Sequence, residues 1–194
     1  LPVPVSSDGK PPYVLLDLFG DTLAISTVTM PPVPDLPDDQ ALIQSLKTAG
    51  IVTLYERTGD QWQQSFQTGP QEASLYAMYG ENAPFGIPVS LGGQAGSGKA
   101  SWLAVGKPGF CGSGREEGSV ALYARGELGW TQQAELMLAP GEQVPGALDR
   151  FFPDTGAAFF GAFVEFEDNR LAVVSTFANA ASRCKTYWLI PPIR

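Results

Sequence analysis

Val52-Thr-Leu-Tyr55, followed by the turn Thr58-Gly-Asp60 and Trp62-Gln-Gln64, returns as Val120-Ala-Leu-Tyr123, a turn from Gly126 to Gly129, and Trp130-Thr-Gln-Gln133. Val52 and Val120, Trp62 and Trp130, and Leu103 and Leu171 are all separated by the same 68 positions. A fixed period of this size is the mark of stacked supersecondary units, each burying its apolar face against the next. The repeat makes the architecture readable, whereas no comparable pattern announces a chemistry.

Each unit divides into short segments of strand composition separated by turn residues. The first is Leu16-Asp17-Leu18, Val89-Ser90-Leu91 and Val164-Glu165-Phe166 in the three copies. Side chains alternate along a strand, so the apolar pair takes one face and the polar residue the other, which predicts a half-buried strand. The second, Leu23-Ala-Ile25, Leu103-Ala-Val105 and Leu171-Ala-Val173, is a short apolar run suited to burial on both faces. The third is Val52 to Tyr55, Val120 to Tyr123 and a weaker Thr186 to Leu189. The fourth, Trp62 to Phe66 and Trp130 to Leu136, is more polar and is expected outermost, without a third copy at the C-terminus. Leu1-Pro-Val-Pro-Val5 is a candidate for that missing strand, since proline is tolerated on a sheet edge.

These segments predict an all-β, propeller-like single domain over 1–194. Its three blade-like units of four short strands, antiparallel on the family resemblance given below, run from about 12 to 68, 85 to 138, and 159 to 194 plus 1–5. The interval from Leu23 to Leu103 exceeds the period, and the surplus falls in a proline-rich insertion over 30–50. Asp35 or Asp38 can cap a short helix through Leu42, Ile43 and Leu46, with Gly50 as its stop. That helix is read as covering the core or meeting a protein partner.

The order of segments resembles the FG-GAP repeat of integrin-type β-propellers. Phe85-Gly86 and Phe160-Gly161 stand where that family has its Phe-Gly, and Leu103-Ala-Val-Gly-Lys-Pro108 where it has a Gly-Ala-Pro ending. Gly118 to Tyr123 and Trp130 to Gln133 are similar to its later strands. Copy one departs with Pro12-Tyr13 in place of Phe-Gly, and copy three ends its second strand as Val173-Val-Ser175. The resemblance implies a four-stranded antiparallel blade per repeat, set around an axis, usually outside the cell. Propellers have about 4 to 8 blades, so three repeats point to a longer chain, to assembly of copies, or to an open three-unit body. Many members bind calcium between the first and second strands. Phe19-Gly-Asp21, Gly92 to Ser101 and Glu167-Asp-Asn169 lack the alternating oxygen ligands such a loop needs, with Asp168 the nearest to a ligand, and no cofactor or metal is expected.

Composition bounds the chemistry further. With 12 basic and 20 acidic side chains the net charge is −8, which disfavours nucleic-acid backbones and anionic membrane surfaces as partners. No apolar run approaches the ~20 residues of a bilayer-spanning helix. The absence of histidine removes Ser-His-Asp and Cys-His catalysis from the chain. Gly93 to Lys99 has the outline of a phosphate-binding loop, but Ala100 stands where Ser or Thr is required and a strand pattern follows, so a hairpin loop is expected.

Cys111 and Cys184 each follow the second strand of their unit. A disulfide between equivalent loops is expected, with an oxidising extracellular, periplasmic or lumenal compartment, against the alternative of two buried thiols. Asp17 and Glu165 at equivalent first-strand positions are candidate paired acids of a glycoside hydrolase, or else polar lining of a channel. Trp62 and Trp130 are candidate sugar platforms, or else packing residues. The expected function is a non-catalytic extracellular or lumenal binding and assembly module, a subunit of a larger body that binds a protein partner or itself. Carbohydrate binding or hydrolysis is the alternative.

Overall fold

The computed structural model describes residues 13–28, 50–69, 87–107, 118–137, 160–167, 170–175 and 183–188. All regular structure among them is β-strand, in three antiparallel sheets with each strand beside its sequence neighbour. Sheet one is β1 (Tyr13–Phe19), β2 (Thr22–Val28), β3 (Gly50–Thr58) and β4 (Gln61–Gln67). Sheet two is β5 (Val89–Gly92), β6 (Trp102–Lys107), β7 (Ser119–Gly126) and β8 (Gly129–Met137). Sheet three is β9 (Phe160–Glu167), β10 (Arg170–Ser175) and β11 (Arg183–Trp188).

The period survives in atomic register. Asp17 pairs with Ala24, Ser90 with Ala104 and Glu165 with Ala172, so the first two strands of every unit align on the same residue. Leu54 faces Phe66 and Tyr55 faces Gln64 across a register shift, while Leu122 faces Ala134 and Tyr123 faces Gln132 across the same shift one period on. A bulge repeated at the same place is a designed bend of the outer strand pair rather than a local irregularity. β4 and β8 are edge strands with largely exposed polar side chains, as their composition requires.

Two cores join the sheets face to face. Ala24, Val28, Val52 and Leu54 of sheet one pack on Leu91, Leu103, Val105, Ala121, Tyr123 and Trp130 of sheet two. The opposite face of sheet two, with Trp102, Ala104, Val120 and Leu122, packs on Val164, Leu171 and Val173 of sheet three. Each sheet therefore has a leading face, carrying the apolar pair of its first strand, and a trailing face, carrying the polar residue between them. The leading face of one sheet lies on the trailing face of the one before it.

This arrangement corrects the reading of the first strand in sheet one. Leu16 and Leu18 are 63% and 60% exposed, and it is Asp17 that turns toward the core junction. The cause is position in the stack, because sheet one has no preceding sheet among the described residues to cover its leading face. β6 is buried on both faces as expected, whereas β2 is buried on one and half-buried on the other. Gly50 opens β3. The insertion helix with Leu42, Ile43 and Leu46, the Leu1 to Val5 strand, Cys111 and Asp168 lie outside the described residues. Cys184 is the second residue of β11, backbone-paired with Val174, and so sits in the third strand rather than in the loop before it.

Candidate functional site

The polar residue of each first strand is spent on the junction with the next sheet. Asp17 Oδ2 accepts the backbone N–H of Leu91 at 2.5 Å, and Ser90 Oγ accepts that of Phe166 at 3.0 Å. Leu18, Leu91 and Phe166 follow the polar residue in their respective units, so one sheet's polar side chain captures the same N–H of the next sheet. Backbone N–H groups facing a packed sheet need such acceptors, since an unpaired one costs as much as a lost hydrogen bond. Glu165 is the third member, exposed on the trailing face of sheet three and engaged in no side-chain hydrogen bond with the described residues. Asp17 is thus engaged at the junction of sheets one and two, while Glu165 stands on the outer face of sheet three.

Replacing Asp17 by Ala is expected to lower stability by about 2 kcal/mol, because the Leu91 N–H loses a charged acceptor in a packed junction. Asp17→Asn, which keeps an amide oxygen in reach, should recover most of that loss in chemical denaturation. Equal losses in both variants would mean that the capture of Leu91 contributes nothing.

A second cluster clasps the glycine-rich loop to sheet one. Glu56 Oε2 accepts from Lys99 Nζ and Arg125 Nη2, each at 2.8 Å, with the Glu56 side chain only 13% exposed. Asp21 N donates to Gly98 O at 2.7 Å, Ala100 N donates to Thr22 Oγ1 at 3.0 Å, and Gly20 bridges to Lys99. The lysine of the phosphate-loop outline is therefore consumed by Glu56, and strand β6 follows the loop, so it is a pinned hairpin without a phosphate cradle. Asp21 is taken by Arg57, whose Nε and Nη2 reach Oδ1 at 2.8 and 2.6 Å. Arg57 and Arg125 are one period apart, so the repeat itself marks this pair of cations.

The two repeated tryptophans diverge. Trp130 is buried, its ring 6.4 Å from Phe66, which in turn lies 5.5 Å from Tyr123. These separations suit tilted aromatic packing and leave no ring face open to a sugar. Trp62 occupies the equivalent place on the leading face of sheet one and is only half-buried. Burial, with Glu135 adding negative charge, pushes the Tyr123 phenol above its usual range, so it stays protonated. The Ser119 hydroxyl donates to Glu135 at 2.7 Å and, with Lys107 nearby, holds that carboxyl below the usual range against the opposing effect of burial.

No helix among the described residues is long and apolar enough to cross a membrane. Among them no three His, Cys, Asp or Glu side chains converge as a metal site. Neither the protein-family models nor the curated proteins contain a match to this chain.

Proposed function

We propose that the chain is a non-catalytic binding and assembly module of an extracellular, periplasmic or other oxidising compartment. Its three sheets act as blade-like units of a propeller-like scaffold similar to FG-GAP repeats. The observation that carries this reading is the use of the first-strand polar residues. Asp17 and Ser90 bind backbone N–H groups of neighbouring sheets, which is structural work. A Cys111–Cys184 disulfide and a partner-binding insertion through Leu42, Ile43 and Leu46 belong to the same reading, with the loops between second and third strands facing the partner.

The competing hydrolase is tested by incubating the chain and its Glu165→Gln variant with a panel of polysaccharides and aryl glycosides and measuring released reducing sugar or phenol. No turnover is expected from either. Turnover by the wild type that Glu165→Gln abolishes would overturn the proposal, since a general acid or nucleophile cannot be replaced by an amide.

A further inference from the structure

Among the described residues no sheet precedes sheet one or follows sheet three. At one end the leading face of sheet one presents Leu16 and Leu18, 63% and 60% exposed, beside half-buried Leu23, Ile25, Tyr55 and Trp62. At the other the trailing face of sheet three presents Phe163, 46% exposed, with Glu165 and the half-buried Ala172 and Val174. Cross-strand register places Phe163 opposite Val174, Glu165 opposite Ala172 and Glu167 opposite Arg170, so an apolar patch around Phe163, Ala172 and Val174 shares this face with the charged Glu165, Glu167 and Arg170. The same leading-on-trailing contact occurs twice inside the chain, and each time a first-strand polar side chain captures the N–H of the following unit. Among the described residues Leu18 N has no preceding sheet to meet, and it turns back to Asp17 Oδ1 at 2.8 Å. Glu165 is the corresponding acceptor, with no following sheet among those residues.

We infer that two copies of this chain join head to tail, the leading face of sheet one in each seating on the trailing face of sheet three in the other, with Glu165 accepting Leu18 N–H. The inference rests on the assembly module proposed above and names its partner. The junction is heterologous, so one contact leaves a second pair of faces free, and two copies related by a two-fold axis satisfy both. Their six sheets fall within the range of about 4 to 8 at which blade rings close. The occupant is a second copy because the exposed face has the residue types and register that the chain's own trailing faces already accept. A polar or strongly charged partner would leave Leu16 and Leu18 unmatched.

The test is the solution mass of the full chain by light scattering and sedimentation from about 1 to 200 μM. A species of twice the 20.6 kDa of the chain is expected. Leu18→Asp and Phe163→Asp, both at exposed positions, should each give monomer with unchanged circular dichroism. Mixed together they should regain a two-chain species, since the unaltered leading face of one fits the unaltered trailing face of the other. Glu165→Ala should weaken association at least about tenfold and Glu165→Gln, which keeps an acceptor, much less. Should either Asp variant fail to fold, Leu16→Asp and Glu165→Ala carry the same comparison. A monomer at every concentration overturns the inference, as does association untouched by both Asp variants or a mixture that stays monomeric. Mass reads only the junction, and glycoside turnover reads only the module. Monomer without turnover thus sinks the junction alone.

Discussion

Gly106→Ala should lower the unfolding free energy by at least about 3 kcal/mol, on the order of 10 °C in melting temperature for a chain of this size. A Cβ at Gly106 would meet the carbonyl oxygen of Gly161, with Pro88 Cβ a further 3.2 Å contact. Reciprocally, a Cβ at Gly161 would lie 2.6 Å from Ser119 O and 3.0 Å from Val120 Cγ2, and Gly161 holds φ at +88°, where side chains are strained. β6 and β9 thus cross with backbone against backbone. A side chain can rotate away from an added methyl, but a main-chain carbonyl held in a sheet cannot. Sheet three would have to withdraw from sheet two, and the contacts of Val164, Leu171 and Val173 with Trp102, Ala104, Val120 and Leu122 would loosen together. Urea denaturation followed by tryptophan fluorescence measures the loss. A change within about 0.5 kcal/mol of wild type would refute so close a crossing.

The same crossing shows what the letters carried and what they withheld. Gly161 is half of the Phe160-Gly161 pair, and its position against Ser119 explains why a residue without a Cβ stands there. The 68-residue period and the strand segments were legible in the sequence, whereas the registers and the bulge after Leu54 and Leu122 come from the structure, where the same offset maps one onto the other. Burial was not legible, because it depends on what lies opposite. Leu16-Asp17-Leu18 and Val89-Ser90-Leu91 have the same pattern, yet one apolar pair faces solvent and the other a sheet. Trp62 and Trp130 differ for the same reason. The Glu56 cluster joins residues far apart in sequence across two sheets, and only the docking of the glycine-rich loop reveals it.

Leu23, Leu103 and Leu171 turn that dependence into a measurement. They occupy one position of the repeat, paired with Leu18, Leu91 and Phe166 on the neighbouring first strand. Leu103 and Leu171 are fully buried on leading faces that meet a preceding sheet, while Leu23 is half-buried on the one that does not. Leu103→Ala and Leu171→Ala should each cost about 3 to 5 kcal/mol, the transfer loss of the side chain plus the cavity left between rigid sheets. Leu23→Ala should cost only about 1 kcal/mol in the monomer, where the side chain is only partly buried. The series uses one substitution at one register, so local strand propensity cancels and the difference reports the opposing sheet. Denaturation of the three variants at low concentration should rank them in this order, and equal losses would mean that sheet one has a cover. Raising the concentration adds a second reading. If a second copy seats on this face, stability gains the free energy of association, and the cost of Leu23→Ala must grow with concentration while the other two stay fixed.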